Sequence, residues 1–141
     1  MKIAVIGSGR MGAIRAQDLL ADGADVTIFN RRDLAATELA KELGCSAGKY
    51  SDTYTEIFDG YVVATATNAH VEILNSLLPI GKPILCEKPI SLTVEETDEV
   101  IATAAKFGTE IQVGFQRRFD PPIAKAAAKI ASGEVGTLYT M

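Results

Sequence analysis

Apolar residues fall along this chain in two alternating patterns, short unbroken runs and longer stretches with helical spacing. Ile3-Ala4-Val5-Ile6 is an unbroken run, suited to a strand covered on both faces. From about Arg10 to Asp22 the spacing turns helical, with Ala13, Ala16, Leu19 and Leu20 on one face and Gly23 as the stop. Asp25 to Phe29 reads as a second strand. Asp33 is placed to cap the next helix, where Ala36, Leu39, Ala40 and Leu43 keep i, i+3, i+4, i+7 spacing up to Gly44. A short third strand is predicted over Cys45 to Ala47, a helical turn over Thr53 to Phe58, and a fourth strand over Tyr61 to Thr65. Asn68 is placed to cap a helix reaching about Leu78, broken by Pro79 and Gly81. Pro83 to Cys86 then gives a fifth strand. Thr93-Val94-Glu95-Glu96 is a capping-box signature. The helix it opens is read with Val94, Thr97, Ile101, Ala104 and Ala105 on one face and Gly108 as its end. Ile111 to Phe115 is a sixth strand, and Asp120-Pro121 opens a last helix with Pro at its first position. Leu138 to Met141 reads as the start of one more strand. Strands alternating with helices imply right-handed β-α-β units. The fold class is α/β, a Rossmann-type doubly wound parallel sheet with helices on both faces.

The junction of first strand and first helix carries chemistry. Gly7-Ser8-Gly9-Arg10-Met11-Gly12 matches G-x-G-x-x-G, and its strand–loop–helix setting is the one a dinucleotide fingerprint requires. Gly7 permits the tight turn, Gly9 lets the backbone approach a pyrophosphate, and Gly12 lets helix and sheet pack closely. The phosphates would sit on unpaired N–H groups at the positive end of the helix dipole. A structural glycine turn and an adenosyl-methionine site are the alternatives.

Composition narrows the setting. The 141 residues carry a net charge of −4 with 48% hydrophobic content, ordinary for one soluble domain. The acidic balance gives no reason to expect nucleic acid or an anionic membrane as partner. No apolar run approaches the ~20 residues of a membrane span. With a strand beginning at Lys2 no room is left for a signal peptide, so a cytoplasmic protein is expected. Cys45 and Cys86 show no metal-ligand spacing and read as buried free thiols, a disulfide being the other reading.

The end of the second strand bears on cofactor choice. An NAD-type unit places an acidic residue there for the ribose 2′-hydroxyl. Here the strand ends Phe29-Asn30-Arg31-Arg32. Asn30 can bond a hydroxyl or a phosphate oxygen, and guanidiniums of Arg31 and Arg32 suit a 2′-phosphate. NADP is favoured over NAD, the alternative being that both arginines are solvated loop charge.

Four further stretches carry a family resemblance: Cys86-Glu87-Lys88-Pro89, Ala64-Thr65-Ala66-Thr67-Asn68-Ala69-His70, Gly114-Phe115-Gln116-Arg117-Arg118-Phe119-Asp120-Pro121 and Gly133-Glu134-Val135-Gly136. Together with the glycine loop they resemble the Gfo/Idh/MocA oxidoreductases, inositol 2-dehydrogenase-like members in particular. The second stretch departs from the usual T-P-N-x-x-H, with Ala66 and Thr67 in place of the proline-containing form and His70 one position early. The resemblance implies hydride transfer between a nicotinamide and a sugar or cyclitol hydroxyl. It places the lysine of E-K-P, here Lys88, beside the reacting oxygen. Partial burial of Lys88 and steadying by Glu87 are expected; a surface Glu-Lys pair is the bland reading. The expected cofactor contacts are Gly7 to Gly12, Asn30 to Arg32, Ala64, Thr65, Asn68, His70, Glu87, Lys88 and Gln116. His70, the sole histidine, is open between cofactor contact and local packing, and Arg117 and Arg118 between polyol contact and solvated charge. Residues 1–120 are read as the nucleotide-binding domain. Residues 121–141 are read as the lead-in to a second, substrate-binding and oligomerising domain, with a packed extension as the alternative. Family members assemble through that domain and carry their general base there, so a homo-oligomer is expected of the full-length protein and weak activity of this chain alone. A cofactor-sensing regulator, and a relative acting on another carbonyl or imine, are the rival functions.

Overall fold

The computed structural model describes residues 1–55 and 57–139. Six strands form one sheet in the order β3-β2-β1-β4-β5-β6, with β1 Lys2–Ile6, β2 Asp25–Phe29, β3 Ser46–Ala47, β4 Gly60–Val63, β5 Ile84–Cys86 and β6 Ile111–Val113. Every pairing is parallel. The helices are α1 Arg10–Ala21, α2 Asp33–Leu43, α3 His70–Leu77, α4 Val94–Phe107 and α5 Pro121–Ala131. The order reverses between β1 and β4, and loops leaving those two strands diverge to opposite sides. A crevice opens between them at the carboxyl edge.

The two faces of β1 show why its apolar run is unbroken. Ile3 and Val5 join Ala16, Val26, Ile28, Ala36 and Leu39 in one core layer. Ala4 and Ile6 join Tyr61, Val63, Ile73, Leu74 and Val100 in the other. A strand buried on both faces has no polar side to alternate with.

Several local expectations are corrected. Of the helical turn expected over Thr53 to Phe58, Glu56 lies outside the described residues and the others belong to no helix; a 3-10 turn lies earlier, at Tyr50–Asp52. Arg32, not Asp33, is the cap residue of α2. Asp33 Oδ1 instead accepts from the Tyr50 backbone N–H at 3.1 Å. Asn68 lies inside a 3-10 turn, Thr67–Ala69, and caps nothing. On α4 the buried residues are Val100 and Ala104, whereas Val94 and Ile101 are 71% and 55% exposed and Ala105 is exposed too. The helix has two apolar stripes, and the i, i+7 pair Val94/Ile101 lies on the one turned from the sheet. Thr93 does cap α4, accepting from Glu96 N–H at 3.1 Å, but Glu96 reaches back to Leu92 N–H at 3.3 Å. Leu138 and Tyr139 are irregular, and the rest of the strand expected there, Thr140 and Met141, lies outside the described residues.

Candidate functional site

A cleft of about 640 Å³ lies at the carboxyl ends of β1, β2, β4 and β5. Its floor is the glycine loop. Gly7 has φ +111°, and a Cβ there would stand 2.5 Å from the Ala64 carbonyl oxygen. A Cβ on Gly12 would stand 1.9 Å from the Gly7 carbonyl oxygen. Both positions therefore require glycine so that α1 can start tight against β1 and β4. Gly9 differs: nothing lies within 4 Å of a Cβ built on it, so it faces open space. No side chain caps α1, leaving its first N–H groups as donors toward the cleft.

Ser8 is fixed from the second strand. Asn30 Nδ2 donates to Ser8 Oγ at 2.7 Å, and Asn30 Oδ1 accepts from Arg32 N–H at 2.9 Å. Asn30 thus lines the cleft with its amide engaged in bracing the loop. Arg31 and Arg32 form the adjoining wall with Tyr50. The Tyr50 hydroxyl and then the Glu72 carboxylate hold the Arg31 guanidinium above its ordinary value. Tyr50 bears no sequence signal for a site; its register follows from Asp33, 17 residues earlier.

The far wall comes from the β4 and β5 loops, with Ala64, Thr65, Asn68, Glu87, Lys88 and Gln116. Thr65 Oγ1 is buried without a hydrogen-bond partner among the described residues. Glu87 is buried, and its Oε1 accepts from Arg15 Nε at 2.8 Å and Nη2 at 2.7 Å. Its expected role of steadying Lys88 gives way to this ion pair, which ties the β5 loop to α1. Gly114 makes the room, since a Cβ there would stand 3.0 Å from Glu87 Oε2. Arg15 was not legible as a site residue, because on α1 alone it reads as surface charge. Lys88 is exposed rather than partly buried and has no ion pair among the described residues. The Lys88–Pro89 bond is cis. A second hollow of about 490 Å³ adjoins, bounded by Lys88, Phe115, Gln116, Arg117 and Arg118, so Lys88 and Gln116 stand between the two spaces.

Ser8, Arg10, Met11 and nearly all the other residues expected to contact cofactor line the first cleft. Gly12 lies beneath it. His70 is away from it and fully buried, with Nδ1 2.9 Å from the Pro89 carbonyl oxygen and Nε2 3.1 Å from that of Thr65. It braces the β4 and β5 loops against each other, the packing reading of the two left open. Cys86 and Cys45 are free, Cys86 fully buried and Cys45 half-buried. Burial, and then the Glu87 charge, push the Cys86 thiol up to about 12.

Residues 1–115 match the family model described as the oxidoreductase family, NAD-binding Rossmann fold, of the Gfo/Idh/MocA group. The chain belongs to that family. Among its relatives are myo-inositol dehydrogenase Hyg17 of Streptomyces leeuwenhoekii, 33% identical over all of this chain and 44% of that protein, and an inositol 2-dehydrogenase of Arthrobacter sp., 37% identical with the same coverage. A solved scyllo-inositol dehydrogenase from Lactobacillus casei, with bound NAD(H) and scyllo-inositol, superposes with TM-score 0.86 at 26% identity, over 96% of this chain and 42% of that one. The chain thus spans less than half the length of these relatives. It is an NAD-binding Rossmann domain of an oxidoreductase family, and among the described residues no helix is long and apolar enough to cross a membrane.

Proposed function

We propose that this domain holds NADP, in preference to NAD, for hydride exchange with a hydroxyl carbon of a sugar or cyclitol. One observation carries the reading: the cleft floored by the bare Gly9 turn has Lys88 at its opposite wall, and Lys88 also borders a second hollow. The residues fit the cofactor. The uncapped start of α1 suits a diphosphate, Arg31 and Arg32 a 2′-phosphate, and the unpartnered Thr65 Oγ1 a polar group of the nicotinamide half. When bound, the nicotinamide brings the hydride-accepting carbon. Lys88 Nζ, unpaired and exposed, would then donate a hydrogen bond to the reacting substrate oxygen and favour its alkoxide-like form. Gln116, beside it, would help orient the polyol. Inositol dehydrogenases among the relatives support the substrate class, and free Lys88 favours an enzyme over a regulator.

Residues 121–141 read as a connector toward a further domain. The residues of α5 are almost all exposed, and apolar Ile123 and Ile130 are 43% and 38% exposed. Catalysis, substrate choice and assembly as a homo-oligomer belong, in this reading, to the protein that includes such a domain. Parallel titrations with NADP and NAD test the cofactor assignment. Arg31→Ala should weaken NADP by about tenfold or more while barely moving NAD; equal losses would count against it.

A further inference from the structure

Glu72 stands in the first turn of α3, just outside the cleft. Its Oε2 lies 2.7 Å from Arg31 Nη2. Arg31 is thus a wall residue of the cleft whose guanidinium is already engaged by a carboxylate reaching in from another element. Arg32, next along the wall, has no ion pair among the described residues.

We infer that Glu72 sets the balance between the two nicotinamide cofactors by competing with a 2′-phosphate for Arg31. The inference rests on the cofactor reading above and adds the residue that opposes it. A guanidinium presents its donors in a fixed planar fork. The edge that grips Glu72 cannot at the same time grip a phosphate from within the cleft. For a 2′-phosphate to take Arg31 through the edge that carries Nη2, the Glu72 contact must loosen, and through any other edge the phosphate still meets the nearby carboxylate as a like charge. A 2′-hydroxyl makes no such demand, so the cost falls on NADP and leaves NAD untouched. Both side chains are well exposed, 57% for Arg31 and 70% for Glu72, which keeps the pair weak and exchangeable and limits its influence to a few-fold in affinity. Specificity set in this way comes from the opposing group as much as from the attractive one.

The test is a set of calorimetric titrations of the chain with NADP and with NAD, on the wild type, Glu72→Gln, Arg31→Ala and the double variant. Glu72 is exposed and its side chain's loss leaves no cavity, so the variant folds. Glu72→Gln should tighten NADP roughly two- to five-fold and leave NAD unchanged. The gain should shrink as salt rises and vanish on the Arg31→Ala background. Weaker NADP binding, unchanged NADP binding, or an equal gain for NAD would overturn the inference. The arms separate the two ideas. If Arg31→Ala is selective against NADP while Glu72→Gln does nothing, only the role of Glu72 falls. Equal losses of both cofactors in Arg31→Ala, or no NADP binding by the wild type, overturn the cofactor assignment and the role of Glu72 with it.

Discussion

At the scale of single residues, the glycine loop separates fold from ligand. Gly12→Ala would drive a methyl into the Gly7 carbonyl oxygen. It should lower stability by about 1–3 kcal/mol, read as a shift of the urea midpoint. Gly9→Ala meets nothing within 4 Å and should leave the midpoint in place. Arg15→Ala would strand the buried Glu87 carboxylate and should cost about 1–3 kcal/mol in the same measurement. The Cys86 thiol gives a pH prediction. Unfolded, it ionises near its ordinary 9.0; folded, only near about 12. Between those values the unfolded state releases a proton that the folded state keeps, so stability contributed by the neutral thiol is full below pH 9 and declines as pH rises above it. Cys86→Ser or Cys86→Ala should flatten that alkaline decline in thermal melts. The glycine pattern was legible because Gly7 and Gly12 answer backbone demands of the fold, while Gly9 leaves the turn bare. Tyr50, Arg15 and the bracing role of His70 were not, because each depends on a partner brought from elsewhere in the chain.

At the scale of elements, periodicity found every strand and helix that forms the crevice. It failed where a helix carries two apolar stripes. On α4 the sequence groups Ala104, which is buried, with Val94 and Ile101, which are exposed, and only the packing against the core shows that Val100 takes their place. Cap residues were found only where local chemistry decides. Thr93 caps α4 as its sequence suggests, whereas Asp33 is drawn to the Tyr50 backbone and Asn68 is absorbed in a 3-10 turn. Thr93→Ala should therefore lower stability by about 1 kcal/mol in chemical unfolding, with cofactor affinity unchanged because α4 contributes nothing to the cleft.

At the scale of the whole molecule, the reversal of strand order between β1 and β4 puts the crevice between two loops. The glycine turn borders it from one strand and Lys88 from β5, two places over. The Arg15–Glu87 pair and His70 hold these walls in register. A ligand that binds only the folded chain stabilises it by mass action, so a dinucleotide bound here should raise the melting temperature in proportion to the logarithm of its concentration. The most direct measurement is a calorimetric titration of the wild type and Gly9→Ala with NADPH, alongside their melting curves. If the turn's bare amides hold the diphosphate, the wild type binds saturably at one site, and Gly9→Ala melts at the same temperature yet loses most of its affinity. Equal affinity in the two proteins, or no binding by the wild type, would contradict it.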